Sequence, residues 1–332
     1  HRDLHSFPTR RSSDLALYLG DIDNVITQST FEGNTALGSG GAIAVTSTGD
    51  LDLNFSTLNE NRAANGGAVS NAGGLTLSSS TVSGNTAHSA GGGIRNSGTA
   101  VSDFSTIARN SAAQGGGVAT TGSFGTGRTI IAENSAASGT DVHGAVTSSG
   151  TNLIPVANGS SGWVGSDITG TADKPAVSAL DDLRLNGGQT KTHALLACSR
   201  AIDAASSTNM PTTDQRGESR SINGNHDANA VPDIGAFELL APLDNTPPTI
   251  NENPAYTVFL EANGTATITE DKLLVAVLDE CGILSSSVSK TSFSCSDIGT
   301  VQVTLAATDR NLNVATKVID VTGVDNLPPT FT

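Results

Sequence analysis

The chain has 332 residues, a formal net charge of −15 at pH 7 and an isoelectric point near 4.6. An acidic chain with only 17 basic residues argues against nucleic-acid binding, which depends on lysine and arginine side chains that neutralise phosphates. Anionic lipid surfaces would repel it, and no run of 18 apolar residues is present that would span a membrane. The length allows two or three domains, but aromatic residues at 4% are too few for one bulky globular core.

The first residues differ from the rest of the chain. Residues 5–15 read HSFPTRRSSDL, which resembles the translation of a sequencing-library adapter. The basic pair Arg10 and Arg11 is not followed by the apolar segment that a signal peptide requires. We therefore interpret residues 1–15 as an artefact, exclude them from the predicted fold, and expect the natural N-terminus to be missing.

A short motif recurs five times in the next part of the chain. The copies read STFEGNTA, STLNENRA, STVSGNTA, STIARNSA and TIIAENSA. Each contains one asparagine, and successive asparagines are 27, 24, 25 and 24 residues apart: Asn34, Asn61, Asn85, Asn110 and Asn134. An apolar residue lies three positions before each asparagine, and a pair of glycines follows in the first four copies. A fixed period of this length is typical of a solenoid.

The composition of the repeats selects the type of solenoid. Residues 16–146 contain no lysine and are rich in Ser, Thr, Gly, Asn and β-branched residues, which favour strands and turns over helices. A coil of about 24 residues has room for three strands of roughly 4–5 residues each plus turns. We therefore predict an all-β fold in which residues 16–146 form a right-handed parallel β-helix.

The repeated asparagines have a structural and a catalytic interpretation. Asparagine tolerates the left-handed backbone region, and its amide both donates and accepts hydrogen bonds. We predict that the five amides form a ladder at one corner, and that the glycine pairs supply positive φ at the next corner. Catalysis is the alternative, but equal spacing favours the ladder because positions in a solenoid recur for stacking reasons.

Parts of the repeat carry a family resemblance. Residues 40–43 (GGAI) and 66–69 (GGAV) match a pattern of GGA followed by an aliphatic residue, and residues 31–34 (FEGN) match FxxN. The other copies replace this Phe with an aliphatic residue. The patterns resemble the repeats of polymorphic outer-membrane proteins. This resemblance implies a secreted or surface-exposed bacterial β-helix, for which adhesion is the usual role in the family.

Residues 147–240 contain four further motifs in order, NGGQTKTHAL, SRAID, DQRGESR and DIGAFE. Together they resemble the choice-of-anchor Q module, which implies the terminal part of a surface-protein β-helix. Arg200 stands where that family usually has proline, and Cys198 where it has a small residue.

The charged residues of these motifs have two interpretations. Five of them are predicted to form ion pairs in a cap over the last coil: Asp214, Arg216, Arg220, Asp233 and Glu238. A cap is expected because an open last coil exposes apolar side chains and unpaired strand edges. The alternative is a catalytic acid–base set with His193 as the base, but ion pairing is favoured because charged clusters are often structural.

The last part of the chain has a different organisation. Residues 241–248 (APLDNTPP) are predicted to be a linker, because proline marks a stiff boundary. Residues 249–325 alternate as short strands, which predicts a small Ig-like β-sandwich. The segments DECG, FSCSDIG and VTLAATD resemble hyalin-repeat (HYR) modules, although Leu312 replaces the glycine usual before Asn313. Residues 326–332 are predicted to begin a further, truncated module.

The three cysteines indicate an oxidising compartment. Cys281 and Cys295 lie in the segments that resemble the HYR module, and we expect them to form a disulfide. Closing a loop of this length would contribute about 3 kcal/mol in the chain-entropy model. A disulfide in a small domain is typical of extracellular proteins. Cys198 is predicted to be a buried packing residue rather than a catalytic thiol.

Two functions lead the predictions. The preferred one is a non-catalytic structural or adhesin-like protein, extracellular or at the cell surface, with extracellular glycans or cell-surface proteins as partners. The alternative is a polysaccharide lyase or glycoside hydrolase of the pectin-lyase-like class, which needs clustered carboxylates with Arg or Lys. No catalytic residue is assigned, because the acidic residues of the repeats do not recur at equivalent positions of the coils.

Calcium-dependent glycan binding is a second alternative. Three short segments are rich in oxygen ligands, namely residues 21–24 (DIDN), 50–54 (DLDLN) and 223–227 (NGNHD). None has the full pattern of a calcium-binding loop, and the neighbouring Asp141 and His143 are only a weak metal signal. No cofactor is therefore predicted, with calcium left as an open possibility.

Overall fold

The computed structural model describes residues 17–20, 23–223, 230–240, 246–279, 281–309 and 312–326, and the backbone alone of residues 2–4. The chain divides into two compact units, His1–Pro242 and Leu243–Thr332. Among the described residues, helix is confined to two 3₁₀ turns, Glu270–Lys272 and Cys295–Asp297. No helix in this part of the chain is long and apolar enough to cross a membrane.

The first unit is a parallel β-solenoid, so the predicted all-β solenoid fold is confirmed. Each of the four coils within residues 50–145 contributes one strand to each of four sheets, whereas the sequence predicted three strands per coil. A fourth strand fits because most of the strands are only three to five residues long. The right-handed winding expected from the sequence is the hand that parallel crossovers almost always take.

The strands of the four sheets are as follows, in order along each stack. Sheet 1 comprises Arg2–Leu4, Asp23–Thr27, Asp50–Asn54, Gly74–Ser78, Thr99–Asp103, Ser123–Gly127 and Thr147–Gly150. Sheet 2 comprises Thr30–Glu32, Thr57–Asn59, Thr81–Ser83, Thr106–Ala108, Ile130–Ala132, Leu153–Ile154 and Ile168–Thr169. Sheet 3 comprises Arg62–Asn65, Thr86–Ala90, Ser111–Gln114 and Ser135–Ser138. Sheet 4 comprises Leu17–Leu19, Ile43–Val45, Val69–Asn71, Ile94–Asn96, Val118–Thr120, Val142–Ala145 and Ser160–Ser161.

The backbone of Arg2–Leu4 pairs in parallel with Asn24–Ile26, although these three residues lie in the segment that the sequence analysis excluded. The rest of that segment, residues 1 and 5–15, lies outside the described residues.

The interior of the solenoid is filled by columns of one aliphatic or aromatic side chain per coil. In sheet 2 the column consists of Phe31, Leu58, Val82, Ile107 and Ile131, and in sheet 4 of Ile43, Val69, Ile94, Val118 and Val142. All ten side chains are buried. Strands of sheet 1 add up to two apolar side chains each, such as Leu51 and Leu53. Because each coil is narrow, these few residues fill it, which explains the low aromatic content of the chain.

Three of the corners are made by left-handed residues that recur in every coil. Between sheets 1 and 2 they are Gln28, Phe55, Ser79, Phe104, Arg128 and Thr151. Between sheets 2 and 3 they are Gly33, Glu60, Gly84, Arg109 and Glu133, and between sheets 3 and 4 they are Gly40, Gly66, Gly91, Gly115 and Gly139. The ladder asparagines do not have positive φ. The left-handed residue is the one before each asparagine, although asparagine itself tolerates this conformation.

The glycine pairs combine two requirements. In the first, second and fourth copies, the glycine with positive φ is the first of the predicted pair. In the third copy it is Gly91, which precedes the pair. A Cβ at Gly41 would lie 2.1 Å from the carbonyl oxygen of Gly67, and one at Gly67 would lie 2.1 Å from that of Gly92. No side chain fits there, so the second glycine lets neighbouring coils approach.

Residues 178–223 and 230–240, here called the strap, follow the last coils and fold back along the outward face of sheet 2. Apolar strap residues such as Leu195, Ile202 and Ile234 pack with Phe104 and Ile130 of the solenoid. The strap contains little regular structure, with isolated bridges such as Leu180 to Leu195. The segment predicted as the terminal module therefore has two parts, a continuation of the coils and a covering over one of their faces.

The second unit has its own core and three small sheets. Thr249–Glu252 pairs with Leu274–Leu278, and Thr265–Thr267 pairs with Ser292–Ser294, both antiparallel. A four-stranded sheet has the order Ala255–Phe259, Val314–Val324, Gly299–Asp309 and Ile283–Val288. Phe293, Val303, Leu305 and Val321 are among its buried core residues. Most of the predicted linker, residues 241–245, and most of the predicted further module, residues 327–332, lie outside the described residues.

The predicted disulfide between Cys281 and Cys295 is not formed. Cys295 is a free, exposed thiol, whereas Cys281 is disulfide-bonded. The strand before Cys295 pairs Ser294 with Thr265, so the Cys295 Sγ lies 3.5 Å from the carbonyl oxygen of Gly264. Cys281 instead precedes a strand of the four-stranded sheet. Cys198 is also disulfide-bonded, and its predicted role as a buried packing residue is wrong.

Candidate functional site

The five asparagines predicted as a ladder are hydrogen-bonded to one another. The backbone N–H and the Nδ2 of Asn34 both donate to Oδ1 of Asn61, at 3.0 and 2.8 Å. The same pair of bonds joins Asn61 to Asn85, Asn85 to Asn110, and Asn110 to Asn134, at distances of 2.8 to 3.0 Å. From Asn61 onward, each Nδ2 also donates to a carbonyl of the preceding coil, such as Leu58 for Asn85. Each of these side chains therefore connects three coils.

The ladder ends on a carboxylate. Asp141 Oδ1 accepts the N–H and Nδ2 of Asn134, and its Oδ2 accepts the N–H of Val156 at 2.9 Å. A carboxylate suits this end because it only accepts, whereas an amide would present its NH₂ to the Val156 donor. Burial raises the pKa of Asp141 to about 6. The three hydrogen bonds lower this pKa, but their effect is smaller than that of burial. The hydrogen bonds of Asp141 are therefore structural, and His143 takes no part in them.

A second ladder was missed in the sequence analysis. The N–H of Ser29 donates to Ser56 Oγ, Ser56 N–H to Ser80 Oγ, and Ser80 N–H to Ser105 Oγ, at 3.0 to 3.2 Å. Further along the stack Thr129 donates to Asn152, which in turn donates twice to Asp167 Oδ1. The signal was present in the sequence, because a serine or threonine lies five residues before every ladder asparagine.

The outward side chains of sheet 2 hold the strap through a column of threonines. Thr57 Oγ1 donates to the carbonyl of Lys191, and Thr81 Oγ1 donates to Gln215 Oε1, at 2.6 and 2.7 Å. Thr106 Oγ1 accepts the N–H of Ala236 at 3.1 Å. The first two letters of each repeat therefore have separate roles. In the first four copies the serine builds the inner ladder, and in three of these the threonine binds the strap.

Charged contacts add to this interface at both of its ends. Lys191 Nζ lies 2.7 Å from Glu32 Oε1 in the first strand of sheet 2. Arg109 pairs with Glu133 of the next coil and with Asp182 of the strap, both at 2.8 Å. These groups are partly exposed, so each pair contributes little free energy and mainly fixes the register of the strap.

The five predicted cap charges lie within the strap, against the side of the solenoid and not over its last coil. Arg216 pairs with Asp214 at 2.8 Å, and the Arg220–Glu238 separation is 3.6 Å. The Arg220 guanidinium lies 4.2 Å from the centre of the Phe104 ring, and Arg216 lies 3.7 Å from that of Phe237. Asp214, Asp233 and Glu238 are fully buried.

Every carboxylate oxygen of this cluster accepts a backbone N–H. Asp214 receives those of Arg216, Glu218 and Glu238; Asp233 receives those of Asp203 and Leu239; Glu238 receives those of Ile222 and Asp233. Burial raises the pKa of Asp233 and of Glu238, and burial lowers the pKa of Arg220. The oxygens that a catalytic acid or base would use are thus engaged in holding loops of the strap.

His193, the base of the catalytic alternative, is buried under the strap. Its Nδ1 lies 2.6 Å from the carbonyl of Asp181, so Nδ1 carries a proton, and its Nε2 lies 2.8 Å from Ser83 Oγ. Burial lowers the pKa of His193 to about 4, and the nearby Arg109 adds to this effect. The neutral imidazole therefore joins the strap to sheet 2.

The oxygen-rich segments are partly brought together on the outward face of sheet 1. Asp23 is in register with Asp50, and Asp52 is one position further along the same face. They line a groove of about 480 Å³ together with Thr76 and Thr99. Among the described residues, no group of three or more His, Cys, Asp or Glu side chains has the arrangement of a metal site. Residues 21–22 and 224–227 of the other segments lie outside the described residues.

Comparison with known proteins relates the first repeat to a known family. No curated protein and no solved structure matches this chain significantly. A family model does match residues 28–46, which contain the first ladder asparagine and the first glycine pair. Over this part of the solenoid the chain is similar to the Chlamydia polymorphic membrane protein repeat, and this similarity together with the solenoid fits a β-helix protein of the cell surface.

Proposed function

We propose that the chain is the non-catalytic solenoid of an extracellular or cell-surface bacterial protein, with an adhesin-like role. Its terminal part would be a choice-of-anchor Q module, and its second unit a hyalin-repeat-like spacer. The similarity of residues 28–46 to a polymorphic membrane protein repeat supports the location. Extracellular glycans or cell-surface proteins would be its partners.

One observation carries the non-catalytic part of the proposal. The charged residues that resembled an acid–base set are buried, and all their carboxylate oxygens accept backbone N–H groups. A lyase or hydrolase needs a carboxylate or another base that reaches its substrate. Here these side chains connect the strap to itself and to the solenoid, which is what a structural element requires.

Two experiments test the proposal. Antibodies raised against the purified chain should label intact cells of the source organism, and protease treatment of those cells should remove the label. Labelling only after lysis would refute the surface location. Separately, the chain should give no unsaturated-product absorbance and no new reducing ends with a panel of acidic and neutral polysaccharides. Turnover that disappears in a His193→Gln or Asp214→Asn variant that remains folded would establish the enzyme alternative.

Calcium-dependent glycan binding is kept as a second candidate because of the groove on sheet 1. Asp23, Asp50 and Asp52 give this groove a negative charge without a basic residue in its lining. Calcium takes carboxylate oxygens as ligands and would allow an acidic glycan to approach. A glycan array read with calcium and with EDTA tests this candidate. Binding that needs calcium and is lost in Asp50→Asn would support it, and identical arrays would exclude it.

A further inference from the structure

A second cavity lies where the strap meets the corner between sheets 1 and 2. It has a volume of about 340 Å³, at the lower end of the range of about 300–1,000 Å³ typical of small-molecule sites. Ser149 and Thr151 line it from the solenoid, and Ser206, Thr208 and Asn209 line it from the strap. The cavity therefore exists only because the strap is docked.

The one charged side chain in the lining is already neutralised. Arg128 Nε and Nη2 bind the two oxygens of Asp103 at 2.8 and 2.6 Å, and Nη1 donates to the carbonyl of Thr208. A free anion would have to compete with a bidentate carboxylate. A divalent cation would find no uncommitted carboxylate in the lining. The cavity thus offers hydroxyl and amide groups with little net charge.

The walls of the cavity are fixed before any ligand arrives. Arg128 and Thr151 are two of the left-handed corner residues, and the N–H of Arg128 donates to the carbonyl of Gly150 at 3.2 Å. The N–H of Ser206 donates to Thr151 Oγ1 at 3.2 Å, which joins the two walls. Preorganised polar groups lose little entropy on binding.

We propose that this cavity binds one neutral pyranose unit of a glycan without calcium. Each hydroxyl of a neutral sugar both donates and accepts a hydrogen bond. The Asn209 amide can do both, and Ser149 Oγ, whose own proton is donated to the carbonyl of Thr126, can accept. This inference rests on the proposed adhesive function and names the ligand class for it. It differs from the calcium-dependent candidate in its place, in the charge of its ligand and in its independence of metal.

The experiment is a titration of the isotope-labelled full chain, in EDTA, with galactose, mannose, N-acetylglucosamine and glucuronate, followed by NMR. At least one neutral sugar should give saturable shifts at residues around the cavity. Asn209→Gly, which keeps the left-handed backbone, and Ser149→Ala should each weaken binding at least tenfold. Ser123→Ala, on the outward face of sheet 1 but outside the cavity, should leave the affinity unchanged.

Several outcomes would overturn the inference. These are the absence of saturable binding by any neutral sugar, binding only of glucuronate, a requirement for calcium, or equal affinity in all three variants. Because Ser149 and Asn209 are exposed, both variants are expected to fold, and their circular dichroism melting curves check this. None of these outcomes alters the antibody labelling of intact cells, so failure here is distinguishable from failure of the proposed surface location.

Discussion

At the residue scale, each ladder asparagine is placed where its whole hydrogen-bonding capacity is used. Asn85 Oδ1 accepts two N–H groups of Asn61, and its Nδ2 donates to Asn110 and to the carbonyl of Leu58. A buried amide with both donors and both lone pairs satisfied is difficult to replace, because any other side chain leaves several neighbours unpaired. The ladder therefore couples the stability of neighbouring coils.

Replacing one rung tests this coupling. Asn85→Ala should lower the free energy of unfolding by roughly 3–5 kcal/mol, since several buried groups lose partners worth about 1–3 kcal/mol each. Urea denaturation measures the change. Asn65→Ala, at a half-buried asparagine of sheet 3 outside the ladder, is the matched control and should cost under about 1 kcal/mol. Equal losses of unfolding free energy in the two variants would show that a ladder asparagine contributes no more to stability than an asparagine outside the ladder.

The left-handed corner before each asparagine gives a second prediction. Glu60 has φ of 58°, whereas the equivalent residue of the next coil is Gly84 with φ of 67°. Because a side chain costs about 1–2 kcal/mol in this conformation, Glu60→Gly should stabilise the protein by up to about 1 kcal/mol after the entropy of the unfolded glycine is counted.

The controls for this corner use the same position and its neighbour. Glu60→Ala keeps the strain and should give no gain in the urea midpoint. Gly84→Ala should destabilise by about 1 kcal/mol through backbone strain alone, because the nearest atoms to an added Cβ are 3.9 Å away. A stabilising Gly84→Ala substitution would contradict the argument.

At the scale of elements, the strap is held by polar groups that hydrogen-bond to the outward threonines of sheet 2. Gln215 lies at the centre of this contact, since its amide bonds Thr57, Thr81 and Thr190 and the carbonyl of Lys191. Gln215 is almost fully buried, so removal of its amide leaves the buried Thr81 hydroxyl without its acceptor. It also removes the donor that Thr57 and Thr190 share.

Gln215→Ala should therefore loosen the strap before it affects the coils. Hydrogen exchange in residues 178–223 and 230–240 should become at least tenfold faster, while residues of sheets 1 and 4 keep their protection, because local opening involves only the weaker element. Gln114→Ala, at an exposed position of sheet 3, is the control and should change neither region. A uniform loss of protection across the whole first unit would mean that strap and coils unfold together.

The structure of the coils could be predicted from the sequence more completely than that of the strap. The asparagine period of 24 to 27 residues predicted the solenoid and the ladder residues, because identical surroundings recur in every coil. The fourth strand was missed because its residues, such as Ser111–Gln114, lack the alternation of apolar and polar side chains. The left-handed position before each asparagine was not predicted, because Gly33, Glu60 and Arg109 share no side-chain chemistry that would reveal it.

The docking of the strap and the state of the cysteines could not be read from the sequence. The bond between Thr81 and Gln215 joins residues 134 positions apart, and nothing in the sequence repeats at that distance. The charged motifs were expected to meet one another, but which face they cover depends on the threonine column that only the folded coils create. The cysteine pairing failed for a similar reason, because strand partners in the second unit decide where Cys295 lies.

At the scale of the whole molecule, two buried groups of the first unit oppose each other as the pH changes. His193 has a pKa lowered to about 4 from 6.5, so its contribution is complete above pH 6.5 and is lost as the pH falls toward 4. Asp141 has a pKa raised to about 6 from 3.8, so folding is favoured more as the pH falls from 6 toward 3.8. Each term amounts to about 3 kcal/mol.

Because the two terms have opposite signs in the same range, they should nearly cancel each other between pH 6 and 4, and single variants should expose each term. The raised pKa values of Asp233 and Glu238 add a contribution of the same sign as that of Asp141. His193→Gln should destabilise less at pH 4 than at pH 7, by up to about 3 kcal/mol, since the variant has no buried imidazole to protonate. Asp141→Asn should do the reverse and destabilise more at pH 4 than at pH 7, because the wild type is stabilised at pH 4 by its neutral carboxyl group.

Urea midpoints of both variants and the wild type at the two pH values measure the differences. Parallel shifts in the two variants would mean that neither group titrates in the folded solenoid as its burial requires.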